Sequence, residues 1–188
     1  MTSDAAVQAV LDGLNAVGIP FMVVGSFSSN IYGLARSTQD VDIVVQLQSG
    51  QIQQLANVLA VELQLDPQPR FETVTMTTYF VLHTREGKFR IELFVLSDDP
   101  HDETRFARRV QGMVAGRPVW VPTAEDVIIT KVRWYGTDRR NKDWDDVRNV
   151  IAVQQNRLDW DYIHRWCDLH GSREHLDAIR KSLESTNM

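Results

Sequence analysis

Apolar positions recur with two different periods along this chain, and the change from one to the other divides it. Residues 4–16, DAAVQAVLDGLNA, put Val7, Val10, Leu11 and Leu14 on one face at helical spacing. Gly18-Ile19-Pro20 ends that helix. The run Phe21–Val24 predicts a short buried strand, Phe27–Leu34 a short helix, and Asp40–Gln46 a second strand entered through polar residues. Residues 51–63 carry Leu and Val at helical spacing, and Asp66-Pro67-Gln68-Pro69 predicts a turn. The β-branched and aromatic stretch TVTMTTYFVLHT, 73–84, predicts a strand. Arg85–Lys88 reads as a hairpin turn and Phe89–Leu96 as the returning antiparallel strand. Residues 103–111 are charged and fit neither period, and Val119–Val121 predicts a last short strand.

From Pro122 the helical period takes over. Thr123, with Asp126 three residues on, forms an approximate capping box. The helix behind it is expected to reach Trp134 or Tyr135 and stop at Gly136. Lys142–Gln154 and 159–169 predict two more helices, the latter closed by Gly171, and Ser172 caps a fourth. The expectation is an α+β architecture. A mixed, twisted sheet flanked by helices occupies 1–121, and a helical C-terminal part, 122–188, packs on that core.

Composition narrows the class. The 188 residues suit one domain, or one domain with a small helical appendage, and the 43% hydrophobic content allows a sizeable core. A net charge of −5 and a pI near 5.5 argue against strong non-specific nucleic-acid binding, which runs on Lys and Arg, though a local basic patch is compatible with a nucleic-acid substrate. A single cysteine, Cys167, excludes an internal disulfide framework and fits a reducing compartment. No basic n-region precedes an apolar h-region, and no apolar stretch approaches membrane-spanning length. These features predict a soluble, cytoplasmic protein of bacterial type with no membrane partner.

The chemistry concentrates in residues 25–42, GSFSSNIYGLARSTQDVD. Asp40 and Asp42 stand at i and i+2 at the head of a predicted strand, so both carboxylates leave one face. Two carboxylates that close repel unless cations neutralise them, and hard divalent ions such as Mg²⁺ favour carboxylate and phosphate oxygens. Gly25-Ser26 follows a strand and opens a helix, where free backbone N–H groups suit an anion. Metal carboxylates beside a phosphate cradle point to phosphoryl or nucleotidyl transfer. The alternative is a solvated acidic strand end after an ordinary strand–turn–helix.

This segment resembles the signature of the DNA polymerase β-like nucleotidyltransferase superfamily: Gly-Ser or Gly-Gly, a short helix, then Asp-x-Asp. Arg36–Asp42 looks like the R-x-T-x-D-x-D form of the AbiEii-like and lincosamide or aminoglycoside nucleotidyltransferase-like branches, and Asp40 follows Ser26 by 14 positions, which fits the branches with a longer helix. A second resemblance follows in the right order. Glu125–Lys131 and Arg140–Asp146 look like the E-D-L-I-x-x-K helix and R-x-K-D-x-x-D run of AbiEii-like members.

The resemblance implies a Mg²⁺-dependent nucleotidyltransferase with two metal ions. Asp40 and Asp42 would hold the metals with a third acid on a neighbouring strand. Glu92 is the candidate, because Phe89, Ile91, Leu93 and Val95 alternate with Arg90, Glu92 and Phe94. Aspartate is commoner than glutamate there, and a simple strand pair between Arg90 and nearby acids is the other reading. Asp98 and Asp99 are rivals placed in an apparent loop before Pro100. Gly25 and Ser26 would bind the tail of a nucleoside triphosphate, the other reading of Ser26 being a turn or helix cap, and Lys131 is the best candidate for a further triphosphate contact, the other reading being a surface pairing with a nearby acid. Arg36 either steers phosphate or pairs with Asp40, and Thr38 braces the turn. Arg139, Arg140 and Lys142 grip phosphate or an acidic acceptor, or pair with Asp143, Asp145 and Asp146. Trp134 or Tyr135 is open to stacking on a base; the tryptophans otherwise pack the helices. The five histidines lack metal-ligand spacing and Cys167 reads as buried and inert. The acceptor is a hydroxyl on a small molecule, a protein or an RNA end. Family resemblance also admits a toxin–antitoxin partner protein. A non-catalytic nucleotide-binding, antitoxin or regulatory module on the same fold is the alternative.

Overall fold

Thr2 and Gly18 bracket the first helix, α1 (Ser3–Val17): the Thr2 side chain accepts the Ala5 N–H, and Gly18 takes φ +72° to close the C-terminus. The computed structural model describes residues 1–184 except Ala60, Glu62, Glu86, Lys88, Arg139 and the side chain of Asp138. These residues fall into two compact units, one of 1–27 and 37–121 and one of 28–36 and 122–188.

The first unit is built on a mixed sheet of β1 (Phe21–Val24), β2 (Asp40–Val45), β3 (Leu63–Leu65), β4 (Arg70–Glu72), β5 (Thr77–Thr84) and β6 (Arg90–Val95). Its order is β1-β2-β6-β5-β3, with β4 also on β5. β2 and β6 are parallel and the other pairs antiparallel. Alternation decides the faces. Val41, Ile43 and Val45 of β2 join Ile91 and Leu93 of β6 in a core completed by α1 residues such as Leu11 and Leu14 and by Leu55. The opposite face carries a smaller cluster of Met22, Val24, Val44 and Phe106. A separate hairpin, β7 (Val110–Val114) and β8 (Arg117–Val121), extends the strand expected at 119–121.

Three expectations in this unit are corrected. The helix expected over 51–63 is α3 (Gln51–Val58), and Leu63–Leu65 instead pairs with β5. The strand expected over 73–84 starts only at Thr77, because the Glu72 carboxylate accepts the N–H groups of Val74 and Thr75 and folds 73–76 into a turn. The charged segment at 103–111 divides between α4 (Pro100–Ala107) and the start of β7. Asp99 N-caps α4 by accepting from His101 and Asp102, which gives that loop acid a structural partner. The expected hairpin turn at 85–88 lies partly outside the described residues.

The second unit is helical. It contains α5 (Ala124–Asp138), α6 (Asn141–Gln154), α7 (Trp160–Leu169) and α8 (Arg173–Glu184) around Ile128, Ile129, Val150, Ile163 and Leu176. α5 runs through Gly136 instead of stopping there. A Cβ at Gly136 would stand 3.0 Å from the His175 ring of α8, so the glycine serves close packing. The short helix α2 (Gly25–Tyr32) begins in the first unit, but from Ser28 onward its residues cluster with the second. Tyr32 donates from its hydroxyl to the Pro122 carbonyl at 2.9 Å, and Gln154 donates to the Tyr32 carbonyl at 2.7 Å. Burial, with the Glu125 and Asp126 carboxylates nearby, pushes the Tyr32 phenol up to about 12, so it remains a donor at neutral pH. No helix among the described residues is long and apolar enough to cross a membrane.

Candidate active site

Register brings the acids of the first unit together. β2 and β6 run parallel with Asp40 opposite Arg90 and Asp42 opposite Glu92. Directly opposed residues share a face, so the three carboxylates stand on one side of two adjacent strands. They occupy the face opposite the main core, beyond the Val44 and Phe94 end that the small apolar cluster covers. On the far side β5 sets His83 opposite Arg90, and the Tyr79 ring stacks on Phe94 at 4.9 Å between centroids. His83 therefore shares the acid face. The period-2 pattern of β5 carried that signal, but only the β5–β6 register connects it to Glu92.

Gly25 meets the same face from β1. Val24 pairs with Asp42, and the chain turns at Gly25 with φ +64° to begin α2. A Cβ at Gly25 would lie 1.9 Å from Asp42 Oδ2 and 2.8 Å from its Cγ. Both the left-handed backbone and the carboxylate therefore demand glycine here. Ser26, one position on, is buried within the first turn of α2. Gly25→Ala is expected to cost about 1–2 kcal/mol from the backbone conformation alone and to push the Asp42 carboxylate aside. Thermal melts measure the first effect and divalent-metal titration the second. An alanine variant with wild-type Tm and wild-type metal affinity would contradict this geometry.

Electrostatics organise the cluster. The Arg90 guanidinium lies 3.7 Å from Asp40 Oδ2 and 3.8 Å from Glu92 Oε1, so one cation spans two of the three acids. The Thr38 hydroxyl donates to Asp40 Oδ1 at 2.7 Å and bonds its backbone carbonyl at 3.2 Å, bracing the entry to β2. The donor set, three carboxylates beside a cradle that a single Cβ would fill, has the chemistry of a hard-cation site. Among the described residues no three His, Cys, Asp or Glu side chains converge as a metal cage, and Arg90 contacts two of the three acids.

Arg36 and Lys131 lie in the second unit, in a buried charge network. Lys131 Nζ contacts Asp143 Oδ1 and Asp146 Oδ2, each at 2.9 Å. Arg36 donates from Nε and Nη2 to the two Asp146 oxygens at 2.8 and 3.0 Å, a bidentate pair. Arg140 pairs with Asp143 at 2.8 Å and lies over the Trp134 ring at 4.8 Å. Tyr135 packs against Trp144 and His175. The choice left open for Arg36 between phosphate and Asp40 thus meets a third partner, Asp146. Of the other two members of the expected cationic cluster, Lys142 is exposed on α6 and Arg139 lies outside the described residues. Cys167 is buried, and burial pushes its thiol up to about 11, which makes it a poor nucleophile.

The arrangement in the first unit is a carboxylate face reached by a glycine-led helix start. Solved structures share the fold of this chain. The crystal structure of ANT(2")-Ia in complex with adenylyl-2"-tobramycin matches with a TM-score of 0.61 at 14% identity, over 93% of this chain and 99% of that one. The chain has the nucleotidyltransferase fold. An antigenic nucleotidyltransferase-like protein from Paracoccidioides brasiliensis matches at TM-score 0.53 and 15% identity, over 96% and 93% of the two chains. The lincosamide antibiotic adenylyltransferase LnuA, lincomycin-bound, matches at 0.51 and 14%, over 81% and 98%. No protein-family model matches the sequence, and no curated protein does. The expected fold class is borne out by these structures and by the sheet itself.

Proposed function

We propose that this protein is a Mg²⁺-dependent nucleotidyltransferase that moves a nucleoside monophosphate from a triphosphate to a hydroxyl acceptor and releases pyrophosphate. The observation that carries this reading is the register of Asp42 against Glu92, with Gly25 held open against Asp42. Asp40, Asp42 and Glu92 would hold divalent metal, which supplies charge neutralisation for the attacking and leaving oxygens. The backbone N–H groups of Gly25 and Ser26 would take the triphosphate tail at the start of α2. Glu92, on the strand beside both aspartates, or a metal ion would activate the attacking hydroxyl by taking up its proton or its charge. Lys131 and Arg36 enter as anchors of the segment 28–36, because freeing either for phosphate would break a buried pair with Asp143 or Asp146.

The acceptor is a hydroxyl compound of small-molecule, protein or RNA type. The solved neighbours include enzymes acting on antibiotics, and an antibiotic hydroxyl is the first class to screen. The test is calorimetric titration of ATP, GTP, CTP and UTP, each with and without Mg²⁺, followed by pyrophosphate release with an acceptor panel. Mg²⁺-dependent binding of at least one triphosphate and pyrophosphate release are expected. The Arg90 contacts favour a second reading, a non-catalytic nucleotide-binding module. Nucleotide binding with no pyrophosphate release across the panel would establish that reading instead.

A further inference from the structure

We propose that Arg90 is a built-in counter-ion that competes with divalent metal for Asp40 and Glu92 and so sets the metal affinity of the site. The inference rests on the reading of these acids as the metal-holding set. Arg90 sits on β6 two residues before Glu92 and directly opposite Asp40 on β2, so all three side chains rise from one face. Its guanidinium lies within 4 Å of an oxygen of each acid, 3.7 Å from Asp40 and 3.8 Å from Glu92. These separations are those of an ion pair without close hydrogen bonds, and the Arg90 side chain is 46% exposed. Such a contact is weak enough to be displaced and strong enough to offset the repulsion among the carboxylates.

A guanidinium cannot lose its proton in this pH range, so it leaves the acids only by swinging away. Exposure leaves that route open on the solvent side. Metal entry therefore exchanges one cation for another, and the affinity measured without nucleotide is reduced by whatever Arg90 contributes. Neighbours fit this role. His83, across from Arg90 on β5, shares the face and, as a histidine, adds no carboxylate to the two that Arg90 already meets.

Mn²⁺ titration of the nucleotide-free full chain, read by the EPR signal of free Mn²⁺ at constant ionic strength, tests the proposal. Arg90→Gln should bind Mn²⁺ roughly two- to fivefold more tightly than wild type, the size of a partly exposed ion pair. Arg90→Lys should stay near wild type. Arg117→Gln removes the same charge from a surface pair with Asp12 in the same unit, and should leave affinity unchanged. In wild type, the Arg90 side-chain N–H resonance should shift along the same titration curve when diamagnetic Mg²⁺ is added. If Asp42→Asn weakens Mn²⁺ binding but Arg90→Gln does not tighten it, the metal reading stands and the competition is wrong. Equal tightening in Arg117→Gln would likewise overturn it in favour of a general charge effect. Absence of Mn²⁺ binding in both wild type and Arg90→Gln would overturn the competition and the metal reading together.

Discussion

Asp42→Asn is expected to reduce pyrophosphate release on the order of 10³-fold or more while leaving the Tm within about 2 °C of wild type. The carboxylate lies at the junction of three features: the parallel register with Glu92, the antiparallel pairing with Val24, and the open Cα of Gly25. Loss of one anionic ligand removes several kcal/mol of charge stabilisation from a metal-assisted displacement, and each 1.36 kcal/mol is tenfold in rate. The amide keeps the shape and size of the side chain, so the β1–β2–β6 ladder should persist. Asp40→Asn should behave similarly, with the Thr38 hydroxyl still bonded to the amide oxygen. The measurement pairs pyrophosphate release with circular dichroism melts of each variant. Full activity in either folded variant would exclude the proposed chemistry at this face.

Asp146→Ala should lower stability by about 3 kcal/mol, a fall of roughly 6–12 °C in Tm. Asp146 is 3% exposed and accepts from both Arg36 and Lys131. Its removal leaves a buried lysine with one partner and strips the bidentate clamp from Arg36. The loss sits at the lower end of what breaking a buried pair costs, since Lys131 keeps Asp143 and Arg36 reaches water. The effect should depend on pH. Burial alone would raise the Asp146 carboxyl, but the Arg36 hydrogen bond and the Lys131 ammonium outweigh it and hold the pKa below the usual carboxylate range. A depressed folded pKa contributes stability that is complete above the unfolded value near 3.9 and is lost as pH falls through the lower folded value. The Tm difference between wild type and Asp146→Ala should therefore be full at pH 7 and shrink below about pH 4. A difference that stays constant down to pH 3 would show that Asp146 acts through packing, not through its charge.

Much of this protein was legible in local pattern. The strands expected at 21–24, 40–46 and 89–96 and the helical period of 4–16 appear in the structure at or near their expected limits, and only helices follow Val121 among the described residues. Alternation alone put Glu92 and Arg90 on the face opposite Ile91 and Leu93. These features depend on neighbours a few residues apart, and a stretch of sequence contains them whole. The turn at 73–76 escaped because a single side chain, Glu72, outcompeted β-propensity by capping two backbone N–H groups. Gly136 suggested a helix stop, but it lies inside α5 and is matched to the close-packed His175 ring, 39 residues away, which local sequence does not reveal.

The sequence by itself determined which residues carry charge, which face of each strand they leave, and where the chain changes from sheet to helix. Tertiary structure alone decided the partners. Asp42 and Glu92 are 50 residues apart, and only the parallel pairing of β2 with β6 sets them side by side. Arg36 is four positions from Asp40 yet binds Asp146, 110 positions away, because helix α6 brings a bidentate acceptor into its reach. Lys131 finds its anions in the same way. Periodicity is a property of the backbone over one or two turns, whereas ion pairing follows proximity in space, which chain closure sets and spacing along the sequence does not.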